Sequence, residues 1–396
     1  MTITINNKNK KTNVPNLRFP EFQGEWEEST IGEMFDLYSG NTPSRLNKEH
    51  FKGTVNWISS GELKEHYIYS SKEQISEEAA KSLKLLPVGT FVIAIYGLEA
   101  EGVRGTGSII QEPSTISQAC MSFIPKGVIE NEFLYSWYKK HGNVIGIRYA
   151  QGTKQQNLSY DILEKFRIAY PNTKEQEKLN KFISLLDERI STQSKIIDKL
   201  QSLISGIVDS TISCKSKNST IGNVCSVSEQ IRAIASIDDI ITVRLHGKGV
   251  CKSNAENLQL GSTQYYHRKA GQLIYGKQNF HIGAIGIVPQ TLNNGITSKD
   301  IPSFDINTIK CNPLYLLTQL LAPQYYKPAE SLTTGTGSKR LKEDTFLKMP
   351  IVLPNKEEQD FIAVLISRIT TKLNQANKLL TLFSKQKQYL LRQMFI

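Results

Sequence analysis

The sequence predicts an α+β protein in which two similar mixed α/β domains are each followed by one long α-helix. Three observations carry that expectation. Leu179, Ile183, Leu186, Ile190, Gln193, Ile197, Leu200, Ile204 and Ile207 follow one another at alternating steps of four and three residues, the a/d spacing of a helix that packs on another helix. The same pattern returns 183 residues later in Ile362, Ile366, Ile369, Leu373, Ala376, Leu380, Phe383, Lys387 and Leu390. Finally, Ser29-Thr30-Ile31-Gly32 recurs as Ser219-Thr220-Ile221-Gly222, and a repeat 190 residues long marks duplicated domains rather than solenoid units.

In chain order, residues 1–13 are rich in Asn and Lys and are expected to form a disordered arm. The first domain takes residues 14–171. Val55-Asn56-Trp57-Ile58 reads as a strand, and Pro87–Tyr96 as a buried strand that leads into the glycine-rich stretch Gly97–Gly107. Short helices are expected to open at Phe133, and then comes Gly152-Thr153-Lys154-Gln155-Gln156. The first long helix is expected over 172–214, entered through Pro171-Asn172-Thr173-Lys174-Glu175-Gln176, where proline ends a strand and the acidic residue sits in the first turn, favoured by the helix dipole. The second domain, 215–354, repeats the order with Leu273-Ile274-Tyr275, the glycines from Gly276 to Gly286, a helix opening at Pro313, and Gly337-Ser338-Lys339-Arg340. The second long helix, 355–396, is entered through Pro354-Asn355-Lys356-Glu357-Glu358-Gln359. A polar residue on each stripe, Gln193 and Lys387, is expected to help fix register.

The chain has 396 residues, 39% hydrophobic and 21% charged, which places it among globular proteins. No apolar run reaches the ~18 residues of a membrane span, and the N-terminus has no signal-peptide core, so a cytoplasmic location is expected. The five cysteines are scattered without a CxxC pair, which argues against a disulfide framework or a zinc site. A net charge of +11 is the footprint of a protein that neutralises phosphates.

Catalytic motifs fare poorly. The glycine-rich segments spell neither a phosphate-binding P-loop nor a dinucleotide fingerprint. Asn312-Pro313-Leu314-Tyr315 resembles the N-P-P-[YF] loop of amino-methyltransferases but lacks the second proline, and reads as a helix start. Glu62-Leu63-Lys64 has the spacing of half a nuclease metal site without an upstream Pro-Asp. The six histidines form no i,i+4 pair, and read as surface or strand residues. No catalytic or metal residue is expected.

The duplicated order, with Pro15-Asn16-Leu17-Arg18-Phe19-Pro20, Trp57-Ile58, the Gly-Thr-Lys and Gly-Ser-Lys loops and the two P-x-x-x-E-Q helix starts, resembles the specificity subunit of type I restriction-modification systems from Pro15 to Ile396. The resemblance implies two target-recognition domains, each reading one half of a split double-stranded DNA sequence, and two helices packed as an antiparallel coiled-coil spacer. It implies two copies of a modification methyltransferase as partners, with restriction and translocase subunits joining outside. S-adenosylmethionine, magnesium and ATP are expected to bind those partners, and no cofactor this chain. Glycine, hydroxyl and cation recur in both Gly-x-Lys loops, where they could meet a phosphate or base edge. Candidate DNA contacts are therefore Asn41, Thr42, Arg45, Arg104, Thr153, Lys154, Gln155, Gln156, Lys277, Gln278, Ser338, Lys339 and Arg340. The helix seam is expected at Leu179, Ile183, Leu186, Ile190, Ile197, Leu200, Ile362, Ile366, Ile369, Leu373, Leu380 and Phe383. Two other classes fit the composition, an unrecognised DNA-modifying enzyme and a coiled-coil scaffold.

Overall fold

A computed structural model describes residues 13–100, 102–152, 156–213, 216–234, 236–253, 263–335 and 338–396. The expected N-terminal arm, Thr153–Gln155 of the first Gly-x-Lys loop and Gly337 of the second lie outside the described residues, save Asn13 at the end of the arm. By contacts the chain divides into two units, one formed by the residues up to Ser194 with Lys378–Ile396 and the other by Lys195–Asn377.

In the first unit the strands are β1 (Glu27–Thr30), β2 (Phe35–Ser39), β3 (Val55–Ile58), β4 (Tyr67–Ile68), β5 (Glu73–Ile75), β6 (Phe91–Ala94), β7 (Gly107–Ile110), β8 (Ser114–Ile116), β9 (Cys120–Pro125) and β10 (Arg167–Tyr170). A five-stranded sheet runs β2-β9-β6-β7-β4, a three-stranded one β5-β3-β8, and β1 pairs with β10. The glycine-flanked apolar stretch around residue 93 supplies β6 at the centre of the larger sheet, and all four of its residues are buried. Helix α1 (Asn131–Tyr149) covers that sheet through Phe133, Leu134, Tyr135 and Tyr138. It is 19 residues long rather than short. Gly142 and Gly146, which look like breakers, are where the turn at Arg104–Gly105 packs: a side chain at Gly146 would stand 2.5 Å from Arg104 Cγ.

The second unit repeats the scheme with β11 (Ser219–Thr220), β12 (Cys225–Val227), β13 (Arg232–Ala233), β14 (Ile241–Val243), β15 (Val250–Lys252), β16 (Tyr265–His267), β17 (Leu273–Tyr275), β18 (Ile285–Ile287), β19 (Ile296–Ser298), β20 (Ser303–Ile306) and β21 (Pro350–Ile351). The central sheet is β12-β20-β17-β18, and β17 holds the place of β6. The repeated tetrapeptide does the same work twice. Thr30 and Thr220 end strands that pair with β10 and β21, and the amides of Ile31 and Ile221 donate to the carbonyls of Phe166 and Met349.

The long helices are α2 (Thr173–Val208), continued by a π turn over Asp209–Ser213, and α4 (Lys356–Met394); between them α3 (Pro313–Leu320) is the counterpart of α1. Every apolar a/d residue of both stripes is buried or half-buried, while Leu185, Ile196, Leu203, Val364, Leu379 and Leu382, off the stripes, are exposed. In the first unit Leu179, Ile183 and Leu186 share a core with Leu390, Leu391, Met394 and Phe395; in the second, Ile204, Ile207 and Val208 share one with Ile362, Ala363 and Ile366. The start of each helix thus lies beside the end of the other, the antiparallel arrangement expected.

Candidate nucleic-acid interface

Each domain brings its glycine-rich loop to its Gly-x-Lys loop. In the first, Leu98 N donates to Gln156 O at 3.1 Å, Gln156 N donates to Glu99 Oε2 at 2.9 Å, and Tyr96 bridges to Asn157. In the second, Leu341 N donates to Lys277 O and Lys277 N to Asp300 O, both at 2.9 Å. Segments separated by some sixty residues of sequence therefore meet in each domain, a juxtaposition that nothing in the sequence announces.

Several of the expected DNA contacts have partners inside the protein. Arg104 Nε donates to Leu98 O at 3.0 Å and Nη2 to Glu99 O at 3.3 Å, so its guanidinium ties the loop to itself. Lys277 Nζ lies 2.7 Å from Glu343 Oε1 with its side chain mostly covered, and Arg340 Nε lies 3.1 Å from Asp300 Oδ1. Gln278, Ser338 and Lys339 are exposed and Gln156 is half-buried. Thr153, Lys154 and Gln155 lie outside the described residues.

Asn41, Thr42 and Arg45 belong to a separate excursion between β2 and β3. Asn41 O accepts from Trp57 Nε1 at 3.0 Å, and its Oδ1 accepts from the amide of half-buried Thr42. Arg45 grips Glu73 with both terminal nitrogens, at 2.9 and 2.8 Å, and lies 4.5 Å above the Phe51 ring. The hydrogen bond from Arg45 pulls the Glu73 carboxyl below the ordinary carboxylate range. The excursion is thereby stiffened at its base.

Two features were not legible beforehand. Gln176 and Gln359, in the first turns of α2 and α4, are fully buried. Gln176 Oε1 accepts from Glu130 N at 3.0 Å and its Nε2 donates to Val128 O and Pro171 O; Gln359 repeats all three bonds with Asn312 N, Lys310 O and Pro354 O. In both units the glutamine of the Glu-Gln pair joins helix start to domain. Its recurrence at both sites was the available signal. Arg18 adds a bidentate bond to Glu175, at 2.8 and 2.7 Å, in the first unit.

The second is a buried ion cluster. His66 is not a surface or strand histidine. Its ring is stacked between Tyr67 and Tyr135, each at 4.0 Å. Its Nε2 lies 2.9 Å from Glu132 Oε2, and its Nδ1 faces Asp187 Oδ2 at 3.1 Å, off the hydrogen-bond axis. Lys387 of α4 pairs with the other oxygen of Asp187. Burial alone would hold His66 neutral, but the two carboxylates outweigh it and its pKa is raised. Lys387 on the helix stripe is thus half of an ion pair, beyond the register-setting part expected of it.

Among the described residues no group of three or more His, Cys, Asp or Glu could hold a metal ion, and no helix is long and apolar enough to cross a membrane.

Comparison with known proteins fits this layout. Residues 23–202 match the family described as type I restriction modification DNA specificity domain. The chain is 29% identical over 185 residues to the type I restriction enzyme MjaIX specificity subunit of Methanocaldococcus jannaschii, an alignment covering 44% of this chain and 42% of that protein. It is 30% identical over 193 residues to the EcoR124I/EcoR124II specificity subunit of Escherichia coli, covering 47% of each. Those two alignments span less than half of either relative; a third, to the MjaVIII specificity subunit of M. jannaschii, is 22% identical and covers 88% of this chain and 86% of that one. In fold, the chain matches the crystal structure of the type I restriction-modification S subunit from M. genitalium with a TM-score of 0.64, at 15% identity, over 97% of this chain and 99% of that one.

Proposed function

We infer that this chain, which belongs to the type I restriction-modification specificity subunits, recognises a bipartite double-stranded DNA target and directs methylation and cleavage performed by partner subunits. The observation that carries the reading is the duplication. Two domains whose central sheets share a four-strand order, with the same tetrapeptide pairing and the same glutamine clamp, each serve one long helix. One domain reads each half-site, and the helix pair sets the distance between them, on the order of one turn of DNA or more. The recognition domains are assigned to 14–171 and 215–354, and the spacer helices to 172–214 and 355–396.

The chain itself transfers no methyl group and cuts no DNA. Its partners are two copies of the modification methyltransferase, then restriction and translocase subunits, and these bind S-adenosylmethionine, magnesium and ATP. Docking is supported by the apolar residues that the helices leave exposed: Leu185, Leu379, Leu382 and Tyr389 in one unit, Phe361 and Val364 in the other. The complex works in the cytoplasm.

The test is to purify the chain alone and co-expressed with its methyltransferase, and to supply each with DNA and S-adenosylmethionine. Methylation is expected only from the complex, which should contain more than one methyltransferase per chain. Sequence-specific methylation by the chain alone would refute the reading.

A further inference from the structure

Leu46 and Ile234 are the two most exposed large hydrophobic residues among those described, at 98% and 97%, and each domain has one. They stand at the same distance past the same edge of the duplicated sheet, although Ile234 directly follows β13 and Leu46 follows no strand of its own. β2 ends where Gly40 N donates to Cys120 O, one residue past the Ser39–Met121 pair, and β12 ends where Ser228 N donates to Ser303 O, one residue past the Val227–Phe304 pair. Leu46 and Ile234 each stand six residues beyond those ends. Both lie in the connection that returns to a parallel pairing, Ile58 with Ile116 in one domain and Ile240 with Ile296 in the other. Little else in the two connections is alike, so the shared apolar tip calls for a shared cause.

In the first domain the tip is presented on a fixed base. Arg45, next to Leu46, is locked to Glu73 and stacked on Phe51; Ser44 O meets His50 Nδ1 at 3.2 Å; and Asn47 Oδ1 accepts from Glu49 N at 3.1 Å. Both neighbours of Leu46 are thus held while its side chain meets water. A surface built to dock a protein would gather apolar residues into a patch. Leu46 instead stands among exposed Ser44, Arg45, Asn47 and Lys48; Arg45 is paired with Glu73 and Lys52 with Glu49, which leaves the Lys48 charge beside the tip. One aliphatic side chain among donors and cations fits the floor of a DNA groove, where apolar groups meet thymine methyls or wedge into a base step. Around Ile234 the exposed neighbours are Glu229, Ile231 and Arg232 on one side and Asp238 and Asp239 on the other; the carboxylates can accept from a cytosine amino group but cannot meet phosphates.

We propose that Leu46 and Ile234 are equivalent base-contacting residues, one for each half-site, each reaching a thymine methyl or an opened base step by apolar contact. The proposal rests on the DNA-reading function above. It is tested in the complex with the methyltransferase, on duplex carrying the sequence that methylation mapping identifies. Leu46→Ser and Ile234→Ser alter side chains that touch almost nothing, and both variants should fold as the parent does by circular dichroism. Each should bind that duplex about tenfold more weakly, with the parent's slope of log affinity against log salt, since an apolar contact releases no counterions. The two should relax one position each, in different half-sites. Replacing the thymine there by deoxyuridine should weaken the parent but not the variant if the contact is to the methyl; a rise in 2-aminopurine fluorescence, seen with the parent and lost in the variant, marks an opened step. Parent-like affinity in both variants would overturn the proposal. So would unchanged DNA affinity with loss of the co-purifying methyltransferase, which would assign these residues to the partner. A parent complex with no sequence preference would instead refute the DNA-reading function itself.

Discussion

His66 joins three stretches of chain that sequence alone keeps apart. It meets Glu132 and stacks on Tyr135 of α1, faces Asp187 of α2 and stacks on Tyr67 of β4; through Asp187 it is linked to Lys387 of α4, and Lys139 of α1 lies over the Tyr135 ring. With His66 protonated, two carboxylates are matched by His66 and Lys387, and without that proton they are not. A histidine whose folded pKa is raised contributes stability fully below its ordinary value of 6.5 and loses it as pH climbs through the folded value. Asp187, although burial pushes the other way, is lowered by His66 and Lys387, so its contribution is present above its ordinary 3.8 and lost in acid. Lys139, brought down to about 8 by burial and by Lys387, acts with the opposite sign, adding stability between about 8 and its ordinary 10.5. His141 and Lys140, both lowered by burial, also act with the opposite sign, so the histidine's part is read from the difference between parent and variant between pH 6.5 and 8. Thermal melts of the parent should show stability falling across that interval, and His66→Gln should flatten the slope while costing about 2 kcal/mol at pH 6, less than a fully buried pair would because Glu132 is a third exposed. An equal slope in parent and variant would assign the pH response elsewhere. In the second unit, Leu314 and Thr370 stand at the positions of Glu132 and Asp187 when the two glutamine clamps are aligned, so no such response is expected from it.

Among the elements, the long helices were the most legible, for a physical reason. Nine positions at a period of 3.5 residues, twice over and all apolar save Gln193 and Lys387, admit one burial pattern, and every apolar member is withdrawn from water while Leu185, Leu379 and Leu382 just off the stripe are not. The sheets were legible as strands but not in their order, because β3 pairs with β8 across some sixty residues and nothing local in Trp57 or Thr115 announces it. The same distance hid the fate of the cations. Arg45, Lys277 and Arg340 look like free charges beside glycine or turn residues until the fold delivers Glu73, Glu343 and Asp300 to them. Gln176 and Gln359 were visible as a repeat, yet their function depends on carbonyls of Val128 and Lys310 that arrive from the preceding domain. The seam makes a direct prediction. Ile369 is only 6% exposed, and Ile369→Asp should cost about 3 kcal/mol by burying a carboxylate in the seam, lowering the midpoint of the helical signal at 222 nm by several degrees. A variant that melts with the parent would mean that Ile369 faces water when the protein is in solution.

For the molecule as a whole, the duplication and the proposed function together predict that the two half-site readings are separable. Each domain has its own core, the first built around Phe91, Phe123 and Phe133 and the second around Tyr275, Phe304 and Phe346, and each closes on the start of its own helix through one glutamine. A domain organised in that way can change its exposed connections without disturbing the other, since mutations with no shared partners act additively. The boundaries for an exchange follow from the pairing: Ser219 begins the strand that meets Ile351, and Pro354 ends the segment before α4. Replacing residues 219–353 with the corresponding region of a relative keeps Gln359 and both helices but changes Ile234, Gln278, Lys339 and Arg340 together. The expected outcome is a methylated sequence altered in one half, with the other half and the spacing between them kept, as read by long-read methylation mapping of DNA from cells that carry the complex. If both halves change, the domains read their target jointly, and the independence argued from their separate cores does not extend to recognition. If the spacing changes while one half is kept, the distance between half-sites is set within the exchanged domain rather than by the helices, because α2 and α4 are the same in both proteins.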